Sequence, residues 1–287
     1  TDAKIVPLDE LSSEEKAKVD CAVVLNPDPA VLESLPNLKW IQSLWAGVER
    51  LLSEYSDEKV KIVRLIDPQL SKTMSEGVLA WSMYLHRAMP TYLAQQATQS
   101  WDQPYLPTPQ ERTIGFLGLG QLGKAAALRM KENEFNVIGW SRSKAEIDGV
   151  ETFHGADGFA DVLERSDILV VLLPLSPATR GLLGAENIAK LKQGASIINF
   201  GRGPIIDDDA LLAALDLKQL EHAVLDVFAV EPLPKDHPYW AHPSVTVLPH
   251  CSAPTNKKTG AKIAAKNISD FVTHGIIPPS VDRKLGY

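Results

Sequence analysis

The sequence has little of what characterises secreted, membrane-spanning or nucleic-acid-binding proteins. Two cysteines, Cys21 and Cys251, do not amount to a disulfide framework, so we expect a reducing compartment. No apolar run reaches the roughly 18 residues of a transmembrane helix, and the N-terminus carries no signal-peptide pattern. The net charge of −7 offers no general basic surface to nucleic acid or lipid headgroups. We therefore expect a cytoplasmic protein with no nucleic-acid and no membrane partner.

Short apolar segments instead alternate with helical segments along a chain of 287 residues, long enough for one large or two medium domains. The predicted strands are 4–7, 21–25, 38–43, 62–65, 114–117, 136–140, 168–172, 196–199, 223–226 and 245–248. The predicted helices are 30–35, 47–56, 73–99 with a break near Pro90, 121–131, 158–165, 185–191, 208–215 and 257–273. Because βαβ alternation favours parallel pairing and nearly every strand is apolar throughout, the sequence predicts an α/β fold with parallel sheets and helices on both faces.

A glycine turn lies between a predicted strand and a predicted helix, in GFLGLGQLG at 115–123. Gly118 allows the tight turn, Gly120 lets the backbone approach a pyrophosphate, and Gly123 lets helix and strand pack closely. The helix N-terminus offers free N–H groups and its positive dipole end to phosphates. Glycines at these spacings also occur in ordinary turns, but both flanks here are those of a dinucleotide-binding motif.

The end of the next predicted strand indicates which dinucleotide binds. NAD-binding chains usually carry Asp or Glu about 20 residues after the glycines, where it accepts hydrogen bonds from the ribose hydroxyls. Here Ser141 and Arg142 stand at that place, without a carboxylate. A carboxylate would repel a 2′-phosphate, whereas a hydroxyl and a guanidinium would bind it. We predict NADP(H), preferred over NAD(H); the alternative is that Arg142 is only a solvated loop residue.

Three polar residues each follow one of three successive strands. Arg202 stands between two glycines after strand 196–199, Glu231 follows strand 223–226, and His250 follows strand 245–248. Because ligands bind beyond the carboxyl ends of parallel strands, these side chains are candidates for one site. Each alone could be a surface or capping residue.

The three side chains suit hydride transfer between a nicotinamide and a ketone. A guanidinium can hold a substrate carboxylate in two-pronged geometry and polarise the carbonyl, which fits Arg202. Imidazole titrates near neutral pH and fits the proton donor, His250. A carboxylate beside it favours the protonated ring, which fits Glu231.

Five ordered motifs together resemble the D-2-hydroxyacid dehydrogenase family, and the resemblance spans about residues 38–287. They are GFLGLGQLG at 115–123, LLPLSPAT at 172–179, NFGRG at 199–203, LDVFAVEPLP at 225–234 and LPHCSAPT at 248–255. Within that family, GWSRS at 139–143 and VDRKLGY at 281–287 resemble the glyoxylate/hydroxypyruvate reductase A branch.

The resemblance implies two doubly wound, Rossmann-like or flavodoxin-like domains with the active site in the cleft between them, usually in a homodimer. Residues 1–80 with 274–287 would form the substrate-binding domain, and 81–273 the dinucleotide-binding domain. The activity implied is reduction of a small 2-keto acid, such as glyoxylate or hydroxypyruvate. Family members usually begin with a further strand and helix, so this chain is expected to be truncated or to have an abbreviated substrate domain.

The resemblance also assigns site residues. Arg202, Glu231 and His250 match the catalytic positions, and the loop LWAGV at 44–48 matches the segment whose N–H groups hold the substrate carboxylate, with Trp45, Ala46 and Gly47 as substrate-binding residues beside Arg202. The expected cofactor-binding residues are Gly118, Gly120, Gln121, Leu122, Gly123, Ser141, Arg142, Ser143, Pro174, Thr179, Asn199, Gly201 and Asp226, the last near the nicotinamide carboxamide.

Some residues keep two interpretations. Trp45 either narrows the substrate pocket or simply packs. Cys251 is expected to be a small buried filler rather than a redox sensor. The aspartates 207–209 are expected to cap and begin a helix rather than bind a metal, so no metal is predicted.

Two alternative functions remain open from the sequence. One is an NAD-dependent dehydrogenase of another small acid, against which the neutral Ser141 argues. The other is a non-catalytic, nucleotide-sensing regulator on the same fold, which would not need a complete set of Arg202, Glu231 and His250.

Overall fold

The computed structural model describes residues 4–25 and 27–283, and the chain divides into two compact units. One comprises residues 1–69 with 255–287, and the other residues 70–254. Every strand pairing is parallel, which confirms the predicted α/β class. Over the described ranges, no helix is long and apolar enough to cross a membrane.

The strands are β1 Cys21–Val24, β2 Trp40–Ser43, β3 Lys61–Val63, β4 Thr113–Leu117, β5 Asn136–Trp140, β6 Glu151–Phe153, β7 Ile168–Val171, β8 Ala195–Asn199, β9 Leu220–Leu225 and β10 Val245–Val247. The α-helices are α1 Ser13–Lys16, α2 Pro29–Glu33, α3 Glu49–Glu54, α4 Pro68–His86, α5 Met89–Thr98, α6 Gln121–Glu132, α7 Gly155–Arg165, α8 Ala185–Ile188, α9 Asp208–Asp216 and α10 Lys257–His274.

The first unit is built on a three-stranded sheet in the order β1-β2-β3. The central strand β2 is buried along its whole length. Helix α10 belongs to this unit, because the ring of Phe271 packs edge-on against Trp40, with centroids 5.5 Å apart, and Asn267 donates a hydrogen bond to Gln42 at 2.8 Å. The buried Trp40 on β2 is therefore covered on one side by α10, which lies more than 200 positions later in the chain.

The dividing lines differ from the predicted domain boundaries. They fall at 69/70 and 254/255, whereas the sequence placed them at 80/81 and 273/274. The difference arises mainly from α10, which the sequence assigned to the dinucleotide-binding domain. Helical periodicity shows that a helix forms, but it does not show which sheet the apolar face of that helix covers.

The second unit holds seven parallel strands in the order β10-β9-β8-β7-β4-β5-β6. Chain order reverses between β4 and β7, which is the switch point at which doubly wound sheets bind ligands. Successive strand residues point to opposite faces: Leu169 and Val171 pack in one apolar core, and Ile168 and Val170 in the other. Both faces are therefore covered, as the continuously apolar strands predict.

One predicted strand is wrong, and two short elements were not predicted. The strand predicted at 4–7 is wrong, since these residues form no strand; Ile5 is 73% exposed and Pro7 has no N–H to donate. Strand β6 was not predicted, because it is three residues long and pairs only with β5 at the edge of the sheet. Helix α1 was not predicted either, although Ser12 and Glu15 form a capping box at its start.

Candidate functional site

The glycine turn after β4 has the backbone that the motif requires. Gly118 has φ +103°, a conformation that favours glycine, and a Cβ there would lie 2.9 Å from the carbonyl oxygen of Leu172. A Cβ on Gly123 would lie 1.8 Å from the carbonyl oxygen of Gly118, so helix α6 approaches the turn too closely for any side chain. The turn sits at the β4/β7 switch point.

The N-terminus of α6 can accept a pyrophosphate. Gly120 is its N-cap and supplies no side chain to satisfy the first N–H groups of the helix. A Cβ on Gly120 would meet nothing within 4 Å, so there is open space in front of this end of the helix. The turn and the helix start, including Gln121 and Leu122, therefore fit the phosphates of a dinucleotide.

The end of β5 is free of carboxylates. Ser141 is half-buried and its hydroxyl donates to the carbonyl of Ser143 at 2.7 Å, while Arg142 is exposed. The next acidic residue, Glu146, lies 3.2 Å from the Lys144 ammonium, so its charge is paired. No carboxylate therefore stands at 141–143, directly after β5.

The segment after β7 is closed by Thr179. Its hydroxyl donates to the Pro174 carbonyl at 2.7 Å and accepts from the Ser176 N–H at 2.8 Å. This loop begins directly beyond Val171, at the carboxyl end of β7. Pro174 and Thr179 thus lie on the same rim of the sheet as the glycine turn.

Asn199, the last residue of β8, shapes the segment that carries Arg202. It is 1% exposed; its side-chain oxygen accepts from the Gly201 N–H at 3.1 Å and its amide donates to the Arg202 carbonyl at 3.0 Å. A Cβ on Gly201 would lie 2.7 Å from the Leu173 carbonyl oxygen. The half-buried Arg202 guanidinium also donates to the Gly201 carbonyl at 2.7 Å. The backbone that carries the Arg202 side chain is therefore held in place where the chain leaves the sheet.

Glu231 and His250 form a contact pair. The Nδ1 atom of His250 lies 2.7 Å from Oε2 of Glu231, and the other carboxylate oxygen of Glu231 accepts from the Phe228 N–H at 2.9 Å. The His250 side chain is 55% exposed, so its Nε2 edge can reach a ligand. The Glu231 carboxylate therefore fixes the orientation of the imidazole ring through its Nδ1 atom.

The loop after β10 is held by a buried carboxylate. Asp226 is 2% exposed and accepts from the N–H groups of Cys251 and Ser252, at 2.7 and 2.9 Å. His250 itself has φ +51°, a left-handed conformation that costs a non-glycine residue about 1–3 kcal/mol. Asp226 therefore offsets this cost through two charge-assisted hydrogen bonds.

One link at this rim was not predicted from the sequence. The Tyr239 hydroxyl donates to Asp208, the first residue of α9, at 2.8 Å. A Cβ on Gly203 would lie only 2.1 Å from the Phe228 carbonyl carbon, so the segments after β8 and β9 are in direct contact. The residue types at these positions carry no pattern that would have revealed either contact.

The expected substrate loop at 44–48 is in the first unit and follows the carboxyl end of β2. The Trp45 side chain is 44% exposed. Its N–H donates to the Ser43 hydroxyl at 3.0 Å, and its carbonyl accepts from the Leu65 N–H. Ala46 and Gly47 are half-buried.

Cys251 is exposed, so the expectation of a buried filler is wrong. Desolvation and the neighbouring Asp226 carboxylate raise the pKa of its thiol, which disfavours the reactive thiolate. Asp207 caps α9 by accepting from the Ala210 N–H at 2.9 Å, which confirms its predicted capping role. Within 4–25 and 27–283, no group of three His, Cys, Asp or Glu side chains is arranged to hold a metal ion.

A seven-stranded parallel sheet with a glycine turn at its switch point, and a histidine–carboxylate pair on the same rim, is the arrangement typical of nicotinamide-nucleotide-dependent oxidoreductases. The family model for "D-isomer specific 2-hydroxyacid dehydrogenase, NAD binding domain" matches residues 79–252, more than half of the chain. The chain belongs to the D-2-hydroxyacid dehydrogenase family.

Relatives with this fold are similar over most of their length. A glyoxylate/hydroxypyruvate reductase A from Serratia proteamaculans is 38% identical, over 93% of this chain and 88% of the relative. The structure of a D-isomer specific 2-hydroxyacid dehydrogenase from Xanthobacter autotrophicus in complex with NADPH and MES gives a TM-score of 0.90 at 39% identity, over 95% of this chain and 86% of that one. An NADPH-dependent glyoxylate/hydroxypyruvate reductase from Sinorhizobium meliloti, in complex with NADP and sulfate, gives 0.89 at 36% identity, over 94% and 86%.

The C-terminal motif at 281–287 lies partly outside the described residues, since 284–287 are not described. Arg283 donates to the carbonyls of Tyr55 and Asp57 at 2.9 and 2.8 Å, and the Val281 N–H donates to Ile62. The described part of the motif thus packs within the first unit.

Proposed function

We propose that this protein reduces a small 2-keto acid, such as glyoxylate or hydroxypyruvate, to the D-2-hydroxy acid with NADPH. The observation that carries the proposal is the 2.7 Å contact of His250 with Glu231, on the rim that also bears Arg202 and the glycine turn. The Serratia and Sinorhizobium relatives, both named as glyoxylate/hydroxypyruvate reductases, support the substrate class.

The proton donor is the Nε2 edge of His250. Nδ1 is engaged by Glu231, so the opposite nitrogen is the one directed away from the carboxylate and toward a substrate. NADPH held at the glycine turn and at Ser141 and Arg142 would supply the hydride to the keto carbon. His250 would donate a proton from Nε2 to the carbonyl oxygen, while Glu231 holds the ring through Nδ1.

Arg202 binds the substrate carboxylate and polarises the carbonyl. Its backbone is fixed by Asn199 on one side and by the contact of Gly203 with Phe228 on the other. Such fixing matters because preorganised charges stabilise the transition state without a cost of reorganisation.

The 44–48 loop of the first unit is proposed to bind the substrate carboxylate. The Trp45 N–H already donates to Ser43, which leaves the N–H groups of Ala46 and Gly47 for a carboxylate. Among the described hydrogen bonds, none is donated by either of these two groups. The exposed Trp45 side chain would limit the size of the substrate.

NADP(H) is the preferred cofactor in this proposal. Ser141 and Arg142 replace the carboxylate that would accept from a ribose diol, and the Xanthobacter and Sinorhizobium relatives carry NADPH and NADP. Asp226 would keep its two N–H contacts while facing the nicotinamide end.

The subunit is proposed to act as a homodimer in the cytoplasm. Apolar side chains on α5 and the segment after it are exposed: Met89 at 45%, Leu93 at 57%, Tyr105 at 78% and Trp101 at 91%. Burying these side chains against a second copy would remove their apolar surface from water. Two free cysteines fit a reducing compartment.

A spectrophotometric assay tests the function. Oxidation of NADPH or NADH is followed with glyoxylate, hydroxypyruvate, pyruvate and phenylpyruvate as separate substrates. We expect turnover with the small acids and a higher kcat/KM with NADPH than with NADH. Absence of turnover with all four acids, in protein shown to bind NADPH, would contradict the proposal and favour a nucleotide sensor.

A further inference from the structure

The three proposed catalytic side chains come from loops after three different strands, so something must fix their mutual distances. The His250 loop is tied to the end of β9 through the Asp226 carboxylate. Glu231 is tied to the same strand end through the Phe228 N–H. The Arg202 segment leaves β8 and passes directly into α9; it packs against the loop after β9 where Gly203 approaches Phe228, and a second tie to that loop lies at the start of α9.

Tyr239 makes that tie. It lies in a short 3₁₀ helix, Pro238–Trp240, downstream of Glu231, and is 1% exposed. Its hydroxyl donates at 2.8 Å to Asp208, which opens α9 immediately beyond the Arg202 segment. Its ring packs on Phe228, with centroids 6.3 Å apart, and so touches the residue whose N–H holds Glu231.

The Tyr239 hydroxyl is the donor in this hydrogen bond. Burial, and after it the charge of Asp208, raise the pKa of Tyr239, so the phenol keeps its proton. The Asp208 carboxylate therefore accepts a charge-assisted hydrogen bond from a buried hydroxyl. Its other oxygen lies 3.7 Å from Nε2 of His237, whose ring packs at an interplanar angle of 45° against Tyr239 with centroids 4.5 Å apart.

We propose that Tyr239 and Asp208 are a positioning pair that holds the Arg202 segment in register with Glu231 and His250. The inference rests on the proposed function for its catalytic consequence. Neither residue touches substrate; they act through the loops they join. Breaking the hydrogen bond lets the segment between β8 and α9 shift, and small misplacements of a substrate-gripping group reduce rate strongly.

A double-mutant cycle tests the pair with Tyr239→Phe, Asp208→Ala and the double variant. We expect each single change to lower kcat/KM for the keto acid about tenfold, mainly through KM because Arg202 grips the substrate. The double variant should be no worse than either single one. The Kd for NADPH should stay within about twofold of wild type. Tyr84→Phe, a tyrosine of the same unit outside the site, is the control and should be unchanged.

A second readout separates failure of the pair from failure of the function. Hydrogen exchange of the segment 200–208 should accelerate in Tyr239→Phe whether or not the enzyme reduces keto acids. If the losses in kcat/KM of the two single variants add up in the double variant, the proposal of a positioning pair is overturned. It is also overturned if the variants lose only stability while kcat/KM stays unchanged. If the wild type is inactive but hydrogen exchange of the segment 200–208 is faster in Tyr239→Phe, the contact of Tyr239 with Asp208 is supported and only the proposed function is rejected.

Discussion

The two ends of the seven-stranded sheet hold histidines in opposite environments. His222, on β9 toward the amino end, is 4% exposed; its Nε2 lies 2.8 Å from the Thr246 hydroxyl and its ring packs edge-on against Tyr84. Burial, and after it the charge of His242, lower the pKa of His222 to about 4. His250, beyond the carboxyl end of β10, is half exposed and contacts a carboxylate.

The difference separates the proposed proton donor from a structural histidine. Burial without a carboxylate partner keeps His222 neutral at neutral pH, so it has no proton to give. The exposure of His250 gives its ring access to a ligand, and the contact with Glu231 fixes the orientation of that ring. Changes at the carboxyl end should therefore reduce activity, and changes at the amino end should affect stability alone.

Arg202→Ala should produce the largest loss. Removing a two-pronged, charge-assisted contact that also polarises the carbonyl should cost several kcal/mol, a loss in kcat/KM on the order of 10³-fold or more. NADPH affinity should stay nearly intact, because the guanidinium is proposed to bind the substrate and not the cofactor. Steady-state kinetics and fluorescence titration measure the two quantities. Arg165→Ala, which removes an exposed arginine paired with Glu151, is the control, and near-normal kcat/KM in Arg202→Ala would refute the assigned role.

Glu231→Gln should lower reduction about ten- to a hundredfold. The carboxylate contacts Nδ1 of His250 at 2.7 Å, and a neutral amide makes a weaker hydrogen bond that holds the ring less firmly for proton transfer. Steady-state kinetics of keto-acid reduction measure the loss. Asp216→Asn removes the carboxylate from a second histidine pair, with His242 at 3.3 Å, and is the matched control. Unchanged kcat/KM in Glu231→Gln would show that the two residues are not coupled.

Replacing Ser141 by Asp and Arg142 by Gln should reverse the cofactor preference. The new carboxylate repels a 2′-phosphate and accepts from the ribose hydroxyls, and the cation that would pair with the phosphate is gone. We expect the ratio of kcat/KM for NADPH to kcat/KM for NADH to fall about tenfold or more. Because Arg142 is exposed, screening by solvent and salt limits the size of this effect. If the wild type uses NADH as well as or better than NADPH, this interpretation of β5 is wrong.

Protonation of His222, at the amino end of the sheet, should make the stability of the protein depend on pH. It should leave the activity at neutral pH unchanged. The pKa of His222 is about 4 in the folded state and near 6.5 in the unfolded chain. Between pH 6.5 and 4 the unfolded state binds more protons here, so the free energy of unfolding should fall as pH falls, by roughly 2–3 kcal/mol. His222→Gln should flatten that part of the curve in denaturant titrations across this range. An equally steep fall in the variant would assign the pH dependence to other groups.

Much of the second unit could be predicted because its signals are local. The glycine turn needs a positive φ at Gly118, and the apolar strands report burial on both faces. The positions of Arg202, Glu231 and His250 follow from the rule that parallel strands share a carboxyl end. These predictions use neighbouring residues and one general property of parallel sheets.

What could not be predicted depends on contacts between distant segments. The tie of Tyr239 to Asp208 joins residues 31 positions apart, and the packing of α10 on β2 joins Asn267 to Gln42. The exposure of Cys251 follows from the bend at His250, which Asp226 holds from the preceding strand. Residue type alone reveals none of these partners.

The most direct test of the account compares His250→Gln with His222→Gln in one assay at neutral pH, with NADPH and glyoxylate or hydroxypyruvate. The account predicts that His250→Gln loses on the order of 10³-fold in kcat/KM while His222→Gln stays within a fewfold of wild type. Comparable activity in the two variants, whether both retain it or both lose it, would contradict the assignment of His250 as the proton donor.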